Sequence, residues 1–367
     1  MIEQVLESST VPLAAQLNAA CQCIWVDRTK LRDQLRANLG DAASLLEAQA
    51  GLVSGSVVFL APGEATAMDR TIRLITLALT SVPFQQKIAR NAPELARRPQ
   101  ANAGGILGFD FHLGGPTPQL IEINTNPGGL LVSLELARAA TAGCDCLTEP
   151  VSVLAAAGVE ISQLGQRISD SFLAEWTSAR GEVPLRSIAI VDDEPQSQYL
   201  YPEFLLYRRL FERAGWRVVI ADATSLELRD DAVFLADQRI DLIYNRVTDF
   251  YLADERHTVL LRACESGLAV ITPHPAAHAR WADKRLLAWL GDDELLQRAG
   301  LDVDDRSHLR QTIPATEVVE PAAADDLWQR RDVGRHHGST AGHGLEWRQA
   351  EALVERGEDE PGCVPIQ

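Results

Sequence analysis

Residues Gly105–Gly129 read GILGFDFHLGGPTPQLIEINTNPGG and contain a strand-turn-strand pattern. Its two apolar segments, residues 106–111 and 120–123, are separated by a Gly-Gly-Pro sequence that is typical of a tight turn between strands. Because side chains alternate along a strand, Glu122 and Asn124 fall on one face of the second segment. We therefore expect a two-stranded hairpin that presents a carboxylate and an amide side by side.

The polar atoms of this hairpin suit a divalent cation. Asp110 lies on the first strand, and a hairpin of this length brings it beside Glu122 and Asn124. Mg²⁺ prefers carboxylate and other hard oxygen ligands and keeps several of its waters. The sequence thus predicts Asp110, Glu122 and Asn124 as magnesium ligands. A buried acid pair followed by an Asn-Pro-Gly turn is the structural alternative.

The loop after the hairpin leads into a predicted helix over residues 130–140. The first amides of a helix have no partner within the helix and point toward bound anions. Asn126, Gly128 and Gly129 immediately precede this helix and are candidate anion-binding residues.

Composition limits the function classes. A chain of 367 residues with 46% hydrophobic content is long enough for two or three packed domains. A net charge of −17 argues against a nucleic-acid binder or a protein of anionic membranes. The N-terminal residues have no signal-peptide pattern and no apolar run reaches the length of a membrane span, so we expect a cytoplasmic protein.

From residue 186 onward, continuous apolar runs alternate with helical stretches, which predicts a parallel sheet covered on both faces and an α/β fold. Ligands bind such sheets at the carboxyl ends of the strands. The polar residues at these ends predict a substrate pocket, although each could instead cap a helix or a turn. They are Asp192, Asn245, Arg246 and His274.

Two helices flank this sheet in the sequence. One, over residues 161–180, is predicted to connect two domains, and the other, over residues 280–290, carries Asp283 and Lys284. At this point the run E-I-N-T-N-P-G after Asp110, and the Asp-Lys pair after a parallel-sheet domain, resemble the ATP-grasp ligases. In those enzymes, the metal strands usually follow the nucleotide lobe, whereas here they come first.

The chain therefore resembles a circularly permuted ATP-grasp protein related to the carboxylate-amine ligases. The resemblance implies an α/β fold, α+β overall, with a metal-binding lobe, a parallel-sheet pre-ATP-grasp-type domain and an incomplete nucleotide lobe. The expected boundaries are 1–150 for the metal and catalytic lobe, 151–185 for the connecting helix, 186–275 for the substrate-type domain, 276–331 for the start of the nucleotide lobe and 332–367 for a disordered tail.

The resemblance also implies a reaction. ATP phosphorylates a small-molecule carboxylate to an acyl phosphate, and an amine or thiol then displaces the phosphate. The implied roles are Mg²⁺ binding by Asp110, Glu122 and Asn124, ATP binding by Lys284, catalysis by Asn126, Gly128, Gly129 and Arg246, and substrate binding by Asn245, Arg246, Asp192 and His274.

The C-terminal sequence qualifies this expectation. No lysine follows Lys284, and residues 332–344, DVGRHHGSTAGHG, have no alternating apolar pattern. We expect a reading frame altered near residue 330 and an impaired activity. The alternative is a non-catalytic binding or scaffold protein with a degenerate ATP-grasp fold. A different magnesium-dependent phosphoryl-transfer enzyme is disfavoured because the chain has no G-x-x-x-x-G-K-[ST] and no G-x-G-x-x-G motif.

Overall fold

A computed structural model describes residues 24–40, 58–142, 150–319 and 362–365, together with Ala14, Asn18 and Ser44. The strands in chain order are β1 (Ile24–Val26), β2 (Gly108–His112), β3 (Gln119–Asn124), β4 (Ala140–Ala142), β5 (Ser187–Asp192), β6 (Arg217–Asp222), β7 (Leu226–Arg229), β8 (Ala232–Leu235), β9 (Gln238–Ile240), β10 (Leu242–Asn245), β11 (Val270–Thr272), β12 (Thr316–Val319) and β13 (Gly362–Pro365). The helices are α1 (Arg28–Leu39), α2 (Pro62–Thr80), α3 (Val82–Asn91), α4 (Leu130–Ala139), α5 (Pro150–Arg180), α6 (Tyr201–Arg213), α7 (Thr258–Ser266), α8 (Pro275–Trp281), α9 (Arg285–Trp289), α10 (Asp293–Arg298) and α11 (Val303–Thr312).

The chain divides into two compact units. The first comprises Met1–Ala61, Ala92–Gly108 and Asn124–His278, and the second comprises Pro62–Asn91, Phe109–Ile123 and Ala279–Gln367. This division differs from the expected boundaries, because the predicted lobe over residues 1–150 contributes segments to both units. Each unit is built from three separate segments of the chain, so its limits do not follow a continuous range of residues.

The first unit contains the predicted parallel sheet, with the strand order β11-β10-β5-β6 and every neighbouring pair parallel. Along β5, Ile188 and Ile190 enter one apolar cluster while Ala189 and Val191 enter another. Both faces of the strand are therefore buried, which explains why its sequence is continuously apolar rather than alternating. The α/β prediction for this region is confirmed.

Helix α5 packs on one face of this sheet. Its residues Ile168, Phe172 and Trp176 recur at four-residue intervals and are buried. The Phe172 ring lies 4.7 Å from that of Phe211 on α6 and 4.9 Å from that of Tyr244 on β10, both edge-to-face. The helix predicted to connect two domains thus belongs to the first unit, because its apolar stripe is buried in that unit's core.

The sequence analysis missed a second sheet on the other face. Strands β7, β8 and β9 form an antiparallel sheet of three strands, and Leu226, Val233 and Ile240 enter the same cluster as Val191. These strands have three or four residues each. Segments this short carry little periodicity, so local pattern alone does not identify them.

The second unit is built mainly from helices. The Thr71 hydroxyl of α2 lies 2.9 Å from Nε2 of His308 and donates to Oγ1 of Thr312 at 3.0 Å, both on α11. The two helices also share an ion pair of 2.7 Å between Arg70 and Asp305. These polar contacts link a helix near the start of the unit with one near residue 310.

The predicted helix over residues 280–290 is interrupted. Helix α8 ends at Trp281 and α9 begins at Arg285, because the Asp283 carboxylate accepts a hydrogen bond from the Arg285 amide at 3.0 Å. Aspartate competes in this way with the helical backbone pattern. Asp283 also holds the Arg285 guanidinium, so the Asp-Lys pair lies at a helix break.

Part of the tail forms regular structure. Strand β13 pairs antiparallel with β12, with Cys363 opposite Val318. Residues 362–365 of the tail therefore form regular structure, and the other residues of 332–367 lie outside the described part of the chain. Among the described helices, none combines the length and the apolar character needed to cross a membrane.

Candidate functional site

The carboxyl edge of the parallel sheet carries the predicted polar residues. The chain passes from β5 to β6 on one side and later returns as β10 on the other side of β5. The gap between β5 and β10 is therefore a topological switch point, the place where open α/β sheets bind ligands. Asp192 ends β5 and Asn245 ends β10, and the Arg246 amide donates to the Val191 carbonyl at 2.8 Å. These three residues therefore lie at the same edge of the sheet.

Asn245 connects neighbouring parts of the first unit. Its side-chain Nδ2 donates to the carbonyl of Pro273 at 3.4 Å, and its Oδ1 accepts from the amide of Val247 at 3.2 Å. The residue is 4% exposed. Its side-chain amide is thus occupied by backbone groups, and its position supports the local structure at the end of β10.

Arg246 is enclosed rather than presented to solvent. Its NH1 donates to Oδ1 of Asn126 at 2.5 Å and to the hydroxyl of Tyr244 at 2.9 Å. The guanidinium also lies over the rings of Phe204 and Tyr244, at 5.5 and 5.3 Å from their centroids. Although burial works against the charge, Tyr244 and Glu203 raise the pKa of Arg246 above its ordinary value. The guanidinium therefore stays charged and joins the Asn126 loop to the sheet.

The Gly129 amide, one of those predicted to hold an oxyanion, is already bonded. The Gly129 amide donates to Oε2 of Glu203 and the Leu131 amide donates to Oε1, each at 2.9 Å. Glu203 comes from α6 and is fully buried. A carboxylate of the protein itself therefore satisfies these two amides at the start of α4.

The glycines of this loop have conformational reasons to be glycine. Gly129 has φ +83°, in the left-handed region that residues with a Cβ rarely adopt. A Cβ on Gly128 would lie 2.6 Å from Cδ1 of Leu200, the residue before α6. The loop is therefore shaped by close packing against α6, and its Asn126 side chain donates to the Asn245 carbonyl at 3.1 Å.

Asp192 is a buried acid with an altered pKa. It is 7% exposed, and its Oδ1 accepts from the Asp193 amide at 2.9 Å. Burial raises its pKa to about 6, against the lowering effects of the Asp193 amide and Arg246. A carboxyl group with this pKa exchanges protons close to neutral pH.

Beside Asp192 lies a histidine that the sequence analysis did not select. His257 is 1% exposed, with Nε2 at 3.0 Å from Oδ1 of Asp193 and Nδ1 at 2.8 Å from Oδ2 of Asp249. Burial disfavours its charge, but the hydrogen bonds to Asp249 and Asp193 outweigh burial and raise the pKa of His257. No sequence spacing signals this group, because its members come from three separate segments.

His274, a predicted substrate residue, makes hydrogen bonds within the first unit. Its Nε2 lies 3.1 Å from the Asn102 carbonyl, so this nitrogen carries the proton, and its Nδ1 accepts from the Ala277 amide at 3.0 Å. Asn102 in turn donates to Glu175 at 2.8 Å. Nε2 therefore joins residue 102 to the segment after β11, while Nδ1 bonds to the start of α8.

The predicted metal residues lie on the paired strands of the hairpin, Asp110 on β2 and Glu122 on β3. Within the second unit, Nζ of Lys284 lies 3.7 Å from Oε1 of Glu122, so the predicted nucleotide-binding lysine is next to a predicted metal ligand. Among the described residues, no three His, Cys, Asp or Glu side chains are grouped so that they could hold a metal ion. Asn124, at the end of β3, is the third predicted ligand.

The surface beside Glu122 holds a cavity of about 10 Å³, which Trp281, Asp283 and Lys284 also line. Ligand pockets usually have roughly 300–1,000 Å³, so this cavity by itself is far smaller than a nucleotide requires. The carboxylates of Asp110 and Glu122 nevertheless have access to solvent, which suits Mg²⁺ because this ion keeps water ligands.

Comparison with solved structures gives a distant likeness. No family model matches the chain, and no curated protein matches it. The chain is similar to a glutathione synthetase-like effector from Globodera pallida in its apo form, with 12% identity and a TM-score of 0.49, over 79% of this chain and 72% of that one. The described part of this chain is a mixed α/β fold, with a parallel sheet in its first unit.

Proposed function

We propose that this chain is an ATP- and Mg²⁺-dependent ligase of ATP-grasp type, which forms an acyl phosphate from a small carboxylate and joins it to an amine or thiol. The observation that carries the proposal is the switch point of the parallel sheet, where Asp192, Asn245 and Arg246 meet. Sheets of this kind bind their ligands at this position. The E-I-N-T-N-P-G run also supports the proposal, because it resembles the ATP-grasp ligases.

Asp192 is the residue we assign to proton transfer. Its carboxyl group is buried at the end of β5 and has a pKa of about 6. An amine or thiol must lose a proton when it attacks an acyl phosphate, and a group with a pKa near the working pH accepts that proton efficiently. Asp192 is thus suited to act as the base, in addition to its predicted place in the substrate pocket.

Asp110 and Glu122 are the residues that would hold Mg²⁺. When bound, Mg²⁺ supplies charge neutralisation to the phosphates of ATP. The carboxylates provide hard oxygen ligands, and Lys284 contributes a second positive charge within 3.7 Å of Glu122. The assignment of Asn124 as a further ligand and of Lys284 to ATP remains part of this proposal.

A non-catalytic binding or scaffold protein is the second candidate. It is favoured by one specific observation, the occupation of the Gly129 and Leu131 amides by Glu203. A ligase that used these amides for a developing negative charge would need Glu203 to leave. We therefore propose impaired catalysis, with the ligase chemistry as the family-level function.

The test is ADP release by the full chain with Mg-ATP against pooled carboxylic acids combined with pooled amines or thiols. Stimulated release, abolished in Asp192→Asn and weakened in Glu122→Gln, would support the ligase. The control variant is Glu227→Gln, which alters an exposed ion pair with Arg229 and should leave release unchanged. ATP binding without stimulation by any pool would instead support the binding protein.

A further inference from the structure

The start of α4 holds an anion that the chain itself supplies. The two carboxylate oxygens of Glu203 accept from the amides of Gly129 and Leu131, both at 2.9 Å. Two amides bound to two oxygens of one carboxylate is the arrangement expected for a carboxylate ligand at a helix N-terminus. Glu203 reaches this position from a different helix, α6, and it is 0% exposed.

A second group is directed to the same place. NH2 of Arg246 lies 3.9 Å from Oε2 of Glu203, and the Arg246 side chain is 4% exposed. The Nε atom of this guanidinium is buried and has no hydrogen-bond partner among the described residues. A buried cation with an unused donor beside a helix start is a second, independent feature of a carboxylate-binding site.

Leu200 packs against the Asn126–Gly129 loop next to Glu203. Cδ1 of Leu200 lies 2.6 Å from the point that a Cβ on Gly128 would occupy. Leu200, immediately before α6, and Glu203, in its first turn, therefore both pack on residues 126–129. An external acid cannot reach the α4 amides while this turn stays in place.

We propose that the α4 amides and Arg246 form a carboxylate-binding site that the Glu203 side chain fills, so that a small carboxylate binds there only when this side chain is removed. Glu203 is thereby a positioning residue, because its carboxylate fixes the Asn126–Gly129 loop and balances the charge of Arg246. This site is separate from the proton-transfer role of Asp192, and its test requires no turnover. Its failure would leave the proposed ligase function unaffected.

The experiment compares thermal melts of the wild type, Glu203→Ala and Glu203→Gln in increasing sodium formate, with sodium chloride at equal ionic strength as reference. Glu203→Ala empties the site, so formate should raise its lowered melting midpoint saturably, by about 2–4 °C or more beyond chloride. Propionate should be less effective than formate, because the vacated space is limited. Neither the wild type nor Glu203→Gln should show this response, because a side chain still fills the site.

The matched control is Glu135→Ala. Glu135 is another buried glutamate of the first unit, but it bonds to the side chains of Arg138 and Asn38 rather than to backbone amides. A formate effect of equal size in Glu135→Ala, or no effect beyond chloride in Glu203→Ala, would overturn the proposal. If Glu203→Ala does not fold on expression, its refolding yield is compared in formate and chloride. A yield restored only by formate supports the site, and equal yields contradict it.

Discussion

Glu203 and Arg246 form an ion pair of 3.9 Å in which the side chains are 0% and 4% exposed. They lie on α6 and directly after β10, and the Asn126–Gly129 loop contacts both of them. Burial raises the pKa of Glu203, while Arg246 and the amides of Gly129 and Leu131 oppose this effect. The pair holds three separate segments of the first unit together.

The first prediction concerns this pair. Arg246→Met should lower the free energy of unfolding by roughly 3–5 kcal/mol, because it leaves the buried Glu203 carboxylate without its cation. The double variant Arg246→Met/Glu203→Gln should lose less free energy of unfolding than the two single variants lose together. Urea unfolding measures both values. Arg262→Met, at an exposed ion pair, is the control and should change stability by no more than about 0.5 kcal/mol. A loss below about 1 kcal/mol for Arg246→Met would contradict the role given to the pair.

The second prediction is the pH dependence of Asp192. Its pKa is about 6 in the folded protein and 3.8 in a model peptide, so the folded state binds more protons between these values. Stability should therefore fall as pH rises from 3.8 through 6, by an amount on the order of 3 kcal/mol in total. Asp192→Asn should lack this loss and be more stable than wild type at pH 7.

Urea unfolding between pH 4 and 7 measures this dependence, with the exposed Asp231→Asn variant as control. If the free energy of unfolding changed with pH in the same way in wild type and Asp192→Asn, the pKa of Asp192 would be an ordinary one. The assignment of Asp192 as a base near neutral pH would then be wrong.

The third prediction concerns His257. Its pKa is raised above 6.5 by Asp249 and Asp193 in spite of burial, so the charged ring stabilises the folded state. This contribution is fully present below the unfolded pKa of about 6.5 and is lost as pH rises through the folded pKa. In His257→Gln, the decline of stability between pH 7 and 9 should be reduced.

Thermal melts across this pH range provide the measurement, and NMR titration of the His257 ring in the wild type gives an independent value. A ring that titrates below 6.5 would refute the prediction.

The fourth prediction addresses Glu122. Glu122→Gln removes one carboxylate from the predicted metal residues while keeping its shape, so it should weaken the stabilisation of the protein by Mg-ATP. Because the pair with Lys284 is half exposed, the variant should change basal stability by no more than about 1 kcal/mol. Melts with and without Mg-ATP test this, and equal ligand-induced shifts in wild type and variant would remove Glu122 from the metal site. Lys284→Met separates the contribution of the lysine charge.

The sequence by itself determined the parallel sheet and its polar edge. The apolar runs at 187–191, 217–221 and 241–244 are continuous because both faces of the strands are buried, and this local pattern is sufficient to predict a covered sheet. The positions of Asp192, Asn245 and Arg246 at strand ends follow from the same pattern. The hairpin with Glu122 was predicted from its turn and alternation.

Which of these polar groups can bind a ligand depends on the tertiary packing. Glu203 reads in the sequence as an ordinary acid in the first turn of a helix, where it complements the helix dipole. Its contact with Gly129 spans 74 residues, and that of His257 with Asp193 spans 64. Local pattern carries no information on such distances, because the partner of a buried charge is set by how the helices and the sheet pack. Packing therefore assigned the α4 amides to Glu203 and left Asp192 as the buried acid at the switch point.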